Sequence, residues 1–321
     1  MKPLEAGAPR QDSASFERVV IPVDRSALSE SAIPVGIMLA QELGSSIDFL
    51  HVVDRNTGSK LNDAEAYLAD ITQRFPPPND HRELVHVGEP EDAITNAAGD
   101  AEAMVVMATH GYTGLRRMIL GSVADAVIRQ ARVPIVLVRA DREFRFPPEG
   151  FRRLLVPIDG SERSARAAPL AAEIAQRSGG RLDLLHVVVP VAMSDLGSSM
   201  DPGYIPPEVY ASMMDDLEAV AREDLEAARR VCEQAGVDAA LHRPIGTPVD
   251  SICRLAEEAG ADAIVLSTHG RGGASRVMMG SVATSVIHRC HIPVIIIPPQ
   301  YGQSGTDETA VEAAGERCAE N

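Results

Sequence analysis

The stretch THGYTGLRRMILGSVA at 109–124 recurs without a gap as THGRGGASRVMMGSVA at 268–283. Upstream of these stretches, VVIPVD at 19–24 is matched by LLVPID at 154–159. An ordered set of matches of this kind is typical of an internal duplication. The chain has 321 residues, which suits two domains, since single domains usually have about 100 to 200 residues. The sequence therefore predicts two consecutive copies of one domain.

The second copy contains an insertion. The matching LHVV segments at 50–53 and 185–188 lie 135 residues apart, whereas VGEP at 87–90 and IGTP at 245–248 lie 158 residues apart. The difference of 158 − 135 = 23 residues is assigned to about 190–210, which is rich in Pro, Gly and Met and could form a lid. The predicted units are a first domain at 16–140, a second domain at 151–299, a linker at 141–150 and tails at 1–15 and 300–321.

Each copy alternates short aliphatic runs with helical stretches. In the first copy the predicted strands are 19–23, 47–53, 84–87, 104–107 and 134–138. Helices are predicted at 29–43, closed by Gly44, and in the second copy at 216–234, where apolar residues keep helical spacing. Strand–helix alternation implies a parallel sheet. We therefore predict an α/β fold with two tandem, open, parallel five-stranded sheets and helices on both faces, a Rossmann-like arrangement.

The last strands of the two copies, 134–138 and 293–297, are predicted to lie at the edges of their sheets. Edge strands expose unpaired backbone groups unless another element covers them. Pairing of these two strands with each other would cover both edges.

Composition argues against several kinds of partner. The net charge of −16 opposes nucleic acid, because binding to phosphate backbones normally needs a basic face. No stretch approaches the roughly 18 apolar residues of a membrane span, and the N-terminus lacks a signal-peptide core. A cytoplasmic location without membrane attachment is therefore expected. The four cysteines lack metal-binding spacing and are predicted to be buried free thiols.

The duplicated loop after the fourth strand has the properties of a phosphate-binding loop. In each copy a glycine, Gly111 or Gly270, allows close approach of the backbone to a ligand. A following Gly-Ser pair is predicted to start a helix whose free N–H groups and positive dipole end suit a polyphosphate. The two pairs are Gly121-Ser122 and Gly280-Ser281. A structural turn with a serine N-cap is the alternative interpretation.

The loop resembles that of the universal stress protein family, whose ATP-binding members carry Gly-x-x-Gly, nine residues, and then Gly-Ser or Gly-Thr. The resemblance covers both copies, nearly the whole chain apart from the tails, linker and insertion. It implies a fold like that of the adenine nucleotide alpha hydrolases and a site for ATP with Mg²⁺. The first glycine of the motif is replaced here by Ala108 and Ser267, whose Cβ atoms could disfavour a strained backbone. The resemblance nevertheless implies that ATP binds in at least one copy.

The same resemblance predicts nucleotide-binding residues in both copies. In the first copy they are Pro22, Val23, Asp24, Val52, Met107, Ala108, Gly111, Gly121, Ser122 and Val123. In the second copy they are Pro157, Ile158, Asp159, Val187, Leu266, Ser267, Gly270, Arg271, Gly280, Ser281 and Val282. The two aspartates would face ribose or adenine, although each could instead be the N-cap of the next helix. The backbones of Val52 and Val187 would read adenine, and Met107 and Leu266 would line the base pocket.

Other polar residues in these segments are assigned with less specificity. Arg271 could pair with a phosphate oxygen, whereas the first copy has Tyr112 at that position, so the two sites are expected to differ. Four histidines are assigned structural roles, namely His51 and His186 in apolar strands and His110 and His269 in the glycine loops.

No catalytic residue is assigned, and the chain lacks the Gly-x-x-x-x-Gly-Lys-Ser/Thr motif of P-loop ATPases. The predicted function is a cytoplasmic, ATP-sensing regulator of stress adaptation with an unidentified protein partner. One alternative is a slow ATPase or a phosphoryl or adenylyl transferase that uses Asp24 or Asp159 with Mg²⁺. A nucleotide-free scaffold is another. Since family members commonly dimerise near the last strand, the tandem chain is expected to form an intramolecular pseudo-dimer, and a homodimer remains open.

Overall fold

The computed structural model describes residues 16–53, 61–99, 102–109, 120–139, 144–190, 206–268 and 279–301. The first half contains β1 Arg18–Val23, α1 Ala27–Glu30, α2 Ile33–Leu43, β2 Ser46–Val53, α3 Leu61–Arg74, β3 His81–Val87, α4 Pro90–Ala98, β4 Ala103–Ala108, α5 Ser122–Gln130 and β5 Ile135–Val138. The second half repeats this order with β6 Arg153–Pro157, α6 Glu162–Ala165, α7 Ala167–Ser178, β7 Arg181–Leu185, α8 Pro207–Gln234, β8 Ala239–His242, α9 Pro248–Ala259, β9 Ala263–Ser267, α10 Ser281–Arg289 and β10 Val294–Ile297.

Each half forms the parallel, five-stranded sheet that the sequence predicted. The strand order is β3-β2-β1-β4-β5 in the first half and β8-β7-β6-β9-β10 in the second. Within each half all pairings between neighbouring strands are parallel. The α/β prediction is therefore confirmed.

The two sheets join edge to edge into one ten-stranded sheet. Strands β5 and β10 pair antiparallel, with Leu137 opposite Val294 and Ile135 opposite Ile296. The predicted pairing of the last strands is confirmed, and it removes two exposed sheet edges. The strands β3 and β8 form the outer edges of the combined sheet. The exact domain limits at 16–140 and 151–299 stay a prediction.

The helix predicted at 29–43 is divided into two in the structure. Helix α1 ends at Glu30, and α2 begins at Ile33 with Pro34 in its first turn. Proline is favoured in a first turn because its missing N–H has no partner there, and it disfavours helical backbone in the residue before it. Gly44 ends α2 in the left-handed conformation with φ of 70°, as the sequence predicted.

Much of the insertion in the second half lengthens a helix. Helix α8 has 28 residues, whereas its counterpart α3 has 14. It begins at Pro207, so the last residues of the segment assigned to 190–210 are helical. Residues 191–205, where a lid was expected, lie outside the described residues.

Two layers of buried apolar side chains cover the faces of the sheet. One lies between the sheet and α2, α3, α7 and α8, and the other between the sheet and α4, α5, α9 and α10. Each layer contains residues of both halves, and α2 packs against α7 across the joint. The halves therefore share both cores. Over the described part of the chain, no helix has the length and apolarity that crossing a bilayer requires.

Candidate functional site

Each half has a cleft at the carboxyl ends of its parallel strands, beside the adjacent pair β1 and β4 or the equivalent pair β6 and β9. Strand order reverses at this point, because β2 and β3 extend to one side and β4 and β5 to the other. Open α/β sheets have their ligand crevice at such a position. The cleft volume is about 180 Å³ in the first half and about 370 Å³ in the second. The predicted clustering of the motifs at the strand ends is confirmed.

Every predicted site residue that the structure describes lines one of these clefts. In the first half these residues are Pro22, Val23, Asp24, Val52, Met107, Ala108, Gly121, Ser122 and Val123. In the second half they are Pro157, Ile158, Asp159, Val187, Leu266, Ser267, Gly280, Ser281 and Val282. Gly111, Gly270 and Arg271 lie outside the described residues, as do His110 and His269. The binding roles of the predicted site residues and the structural roles of the two loop histidines stay predictions.

Further residues line the clefts that the motif analysis did not identify. Six equivalent pairs do so, namely Ser29 and Ser164, Leu50 and Leu185, Pro90 and Pro248, Ile94 and Ile252, Thr109 and Thr268, and Ala124 and Ala283. Strand periodicity could have found Leu50 and Leu185, because each lies two residues before a predicted adenine-binding valine and so faces the same side of the sheet. The residues of α4 and α9 carried no such signal.

The aspartate at the end of the first strand organises a turn in both halves. Asp24 Oδ1 accepts hydrogen bonds from the Ser26 backbone N–H at 3.1 Å and from the Ser26 hydroxyl at 2.5 Å. Asp159 Oδ1 accepts the same pair of bonds from Ser161, at 3.0 and 2.7 Å. The serines are the N-caps of α1 and α6, and Ser26 Oγ accepts from Ser29 N–H at 3.0 Å. The N-cap interpretation of the aspartates is therefore wrong. They orient the caps from the wall of the cleft.

A backbone hydrogen bond closes the glycine loop in each half. Gly121 N–H donates to the Thr109 carbonyl at 2.7 Å, and Gly280 N–H donates to the Thr268 carbonyl at 2.8 Å. The bond holds the start of the next helix against the end of the fourth strand. The cleft therefore has a helix N-terminus along one wall.

Glycine, not serine, is the N-cap of these helices. Gly121 has φ −66° and ψ 152°, Gly280 has φ −61° and ψ 149°, and neither α5 nor α10 has a side-chain N-cap among the described residues. Ser122 and Ser281 are the first helical residues, so the serine N-cap interpretation is wrong. The first-turn N–H groups and the positive end of the helix dipole lie at the cleft, which favours an anionic group there.

Apolar side chains form the inner wall of each cleft. Leu50, Ile94 and Met107 in the first half belong to the buried layer under α4 and α5. Leu185, Ile252 and Leu266 occupy the same places in the second half. An apolar wall beside a helix N-terminus can accept a flat aromatic group at one end and an anion at the other.

The strand histidines are buried and have different partners. His51 is 6% exposed, and its Nδ1 lies 2.7 Å from the Val23 carbonyl oxygen. Its ring and that of Tyr67 form a T-shaped pair with 5.1 Å between their centroids. Burial is the main cause that lowers the pKa of His51. His186 Nδ1 lies 3.3 Å from Asp224 Oδ2 of α8. The structural role predicted for His51 is confirmed.

Comparison with protein families gives one assignment for both halves. The model described as the Universal stress protein family matches residues 15–139 and 150–298. These matches leave out mainly the two tails and the segment between the halves.

The chain is also similar to individual proteins and to a solved structure over more than half of its length. The universal stress protein Rv2005c of Mycobacterium tuberculosis is 29% identical over 210 residues, which are 64% of this chain and 65% of that protein. A universal stress protein of Mycolicibacterium smegmatis is 25% identical over 315 residues, which are 90% of this chain and 99% of that protein. The crystal structure of a universal stress protein from Archaeoglobus fulgidus has a TM-score of 0.65 at 22% identity, covering 88% of this chain and 98% of its own, which shows similarity of fold.

Proposed function

The chain belongs to the universal stress protein family, and we propose that it binds ATP in the clefts of both halves and acts as a nucleotide-sensing regulator of stress adaptation. The observation that carries this proposal is the pair of glycine-capped helix N-termini, each placed beside an apolar wall at the strand ends. The phosphates would bind the first-turn N–H groups, and adenine would pack against the wall.

The aspartate would contribute to the recognition of ribose or adenine. In both halves Oδ1 is engaged by the serine cap, so the orientation of the carboxylate is set before a ligand arrives. Such preorganisation lowers the entropic cost of ordering a side chain on binding. Mg²⁺ would enter with the nucleotide, since the phosphates supply the oxygen ligands that it prefers.

The two sites would differ in affinity. Ala108 of the first half is buried, whereas Ser267 of the second is partly exposed at the equivalent strand end. The base wall also changes from Met107 to Leu266. Because one or two side chains at a ligand contact are worth on the order of 1 kcal/mol, we expect affinities that differ several-fold.

We expect Gly121→Val and Gly280→Val each to lower ATP affinity at least about tenfold, in the mutated half alone. Gly280 has φ −61° and ψ 149°, which valine adopts readily, so the change adds a side chain at the helix N-terminus without backbone strain. The measurement is isothermal titration calorimetry, in which ATP and Mg²⁺ are added to the reduced, nucleotide-free chain. The single variants are matched controls for each other, and the double variant should bind at neither site.

The wild-type chain and the double variant, each denatured directly after purification and before any removal of nucleotide, would reveal the nucleotide that the protein carries. ATP at one or two per chain, absent from the double variant, would support the sensing function and count the occupied sites. ADP in its place would favour the alternative of a slow ATPase or a phosphoryl or adenylyl transferase. No nucleotide and no binding of added ATP would contradict the proposal and favour a nucleotide-free scaffold.

A cytoplasmic location, an unidentified protein partner and a possible homodimer complete the proposal. Through the antiparallel β5–β10 pair the chain would act as an intramolecular pseudo-dimer, since family members commonly dimerise near their last strand. A change of bound nucleotide would act on the partner through the loops that follow β4 and β9.

A further inference from the structure

Two cysteines of the second half lie against each other on adjacent helices. Cys253 is in α9, and Cys290 is the C-cap of α10. Their Sγ atoms are 2.6 Å apart, although 37 residues separate them in the sequence, and both are free. A disulfide joins sulfurs at about 2.05 Å, so little movement would be needed to form one.

The pair is specific to the second half. Thr95 of α4 and Ala131 after α5 occupy the equivalent positions in the first half. The Thr95 hydroxyl donates to the Glu91 carbonyl at 2.9 Å, a local helical bond. The packing of these two helices therefore does not require two sulfurs, and the first half is an internal control.

The two thiols differ in their exposure to solvent and in the direction in which their pKa is shifted. Cys290 is 5% exposed, whereas Cys253 is partly exposed, which corrects the expectation that every cysteine is buried. The pKa of Cys253 is lowered, mainly by the hydrogen bond with Cys290 and also by Arg289, against the opposing effects of burial, Glu257 and Asp250. The pKa of Cys290 is raised by the same contact and by burial. The thiolate therefore forms preferentially on the more accessible sulfur.

We propose that Cys253 and Cys290 are a peroxide-oxidisable dithiol that closes to a disulfide between α9 and α10. The Cys253 thiolate attacks hydrogen peroxide, the O–O bond breaks, and the departing hydroxide takes a proton to leave as water, which gives a sulfenic acid on Cys253. The Cys290 sulfur then attacks the Cys253 sulfur, its proton and the sulfenic hydroxide leave as a second water, and the S–S bond forms. Two thiols are oxidised by two electrons, and one peroxide is reduced to two waters.

The cross-link would tie together two walls of the second cleft. Ile252, the neighbour of Cys253, lines that cleft, and so do Gly280 and Ser281 at the start of α10. The disulfide would restrict the movement of α9 relative to α10. If ATP binds as proposed above, the disulfide makes ATP binding in the second half, and not in the first, dependent on the redox state of Cys253 and Cys290.

The thiol chemistry is tested on the full chain without nucleotide. Reduced protein is freed of reductant, treated with hydrogen peroxide, unfolded in the presence of N-ethylmaleimide and digested for mass spectrometry. We expect two of the four thiols to be lost, a cross-linked peptide pair containing Cys253 and Cys290, and recovery of both thiols with dithiothreitol. Cys232 is the internal control, because burial raises its pKa to about 11 and it should stay alkylatable after unfolding.

Single variants separate the two steps. Cys290→Ser should accumulate a sulfenic acid on Cys253, detected with dimedone, whereas Cys253→Ser should leave Cys290 unlabelled. Four alkylatable thiols after peroxide treatment, or a cross-link through Cys232 or Cys318, would overturn the proposal.

The effect on the cleft is measured in the Gly121→Val variant, whose first site is expected to bind ATP at least about tenfold more weakly. We expect the ATP affinity of the remaining site to change at least about threefold between the reduced and the oxidised protein. An unchanged affinity in protein with the disulfide formed would overturn the coupling to the cleft. Absence of ATP binding in both redox states, with the disulfide formed, would contradict the proposed function and leave the dithiol standing.

Discussion

The Ile296→Pro variant is expected to unfold with a free energy lower than that of the wild type by about 3 kcal/mol or more. Ile296 is fully buried in β10, opposite Ile135 of β5 at the joint between the halves. Proline has no N–H to donate, and its ring disturbs the pairing of a central strand. The joint is the place where such a defect reaches both cores, because each core contains residues of both halves.

The backbone hydrogen bonds identify Ile296 as the right position. Ile264 N–H donates to the Pro293 carbonyl, and Thr268 N–H donates to the Ile297 carbonyl, so odd-numbered residues of β10 bond to β9. Backbone polar groups alternate in direction along a strand, so the even-numbered residues direct theirs toward β5. Proline at 296 therefore removes a hydrogen bond that crosses the joint.

Ile296→Val is the matched control, since it keeps the N–H and removes one methylene, at a cost of about 1 kcal/mol. Urea unfolding followed by far-UV circular dichroism measures both variants. Equal stability of the proline and valine variants would mean that the β5–β10 pairing does not form in solution.

The sequence predicts the sheet well because the period of its apolar runs matches the elements that form. All five strands predicted in the first half are present, with ends shifted by up to three residues. The start of β3 differs most from the prediction, since the strand begins at His81 and not at 84. Its first residues are exposed at the sheet edge and carry no apolar signal. Local pattern therefore predicts buried strands better than edge strands.

The joint between the halves is only partly predictable. Two aliphatic edge strands imply that something pairs with them, but IVLV of β5 and VIII of β10 are buried throughout and have no polar residue to mark a register. Register is specified where one face is buried and the other is not. The pairing partner could thus be inferred from the sequence, whereas its antiparallel register required the structure.

The candidate site is likewise only partly predictable from the sequence. Asp24, Met107 and Gly121 could be placed because strand ends and helix starts converge at one edge of a parallel sheet. Ser26 is different, since its role as a cap depends on the hydroxyl being held by Asp24. Ile94 enters the cleft only through the packing of α4 on the sheet. Residues that depend on turn geometry or on helix placement were therefore missed or misassigned.

One buried charge was also missed, although it recurs in both halves. Asp48 of β2 and Asp183 of β7 are 0% and 1% exposed in strands that are mainly apolar. Arg82 of β3 binds the first carboxylate through two nitrogens, at 2.7 and 2.5 Å. Arg153 of β6 binds the second, at 2.6 and 3.1 Å. Arg18 of β1, the equivalent of Arg153, also lies near Asp48, with 3.9 Å between Nη1 and Oδ2. The shortest contacts nevertheless come from different strands in the two halves, so the duplication alone does not reveal both arginines.

Arg153→Met is expected to lower the free energy of unfolding by about 3 kcal/mol at pH 7, because it leaves the Asp183 carboxylate buried without its arginine. His242 Nε2, 2.7 Å from Asp183 Oδ1, would remain as a partner. Arg229→Met is the control, since Arg229 pairs with Glu226 and Glu233 on the exposed face of α8, where ion pairs contribute little. Urea unfolding of both variants measures the difference, and similar small losses would contradict the argument.

The pH dependence of this difference gives an independent check. Burial alone would raise the pKa of Asp183, but the hydrogen bonds from Arg153 and His242 hold it below its ordinary value of 3.8. A carboxyl group with a lowered folded pKa stabilises the protein above pH 3.8 and loses this contribution as pH falls through the folded pKa. In Arg153→Met the Asp183 carboxylate destabilises the folded protein at pH 7. This cost is relieved as the pH falls, because the carboxyl without its arginine would be protonated at a higher pH. The stability gap between wild type and variant should therefore narrow from pH 7 toward pH 4, and a constant gap would place its cause in lost packing and not in the buried charge.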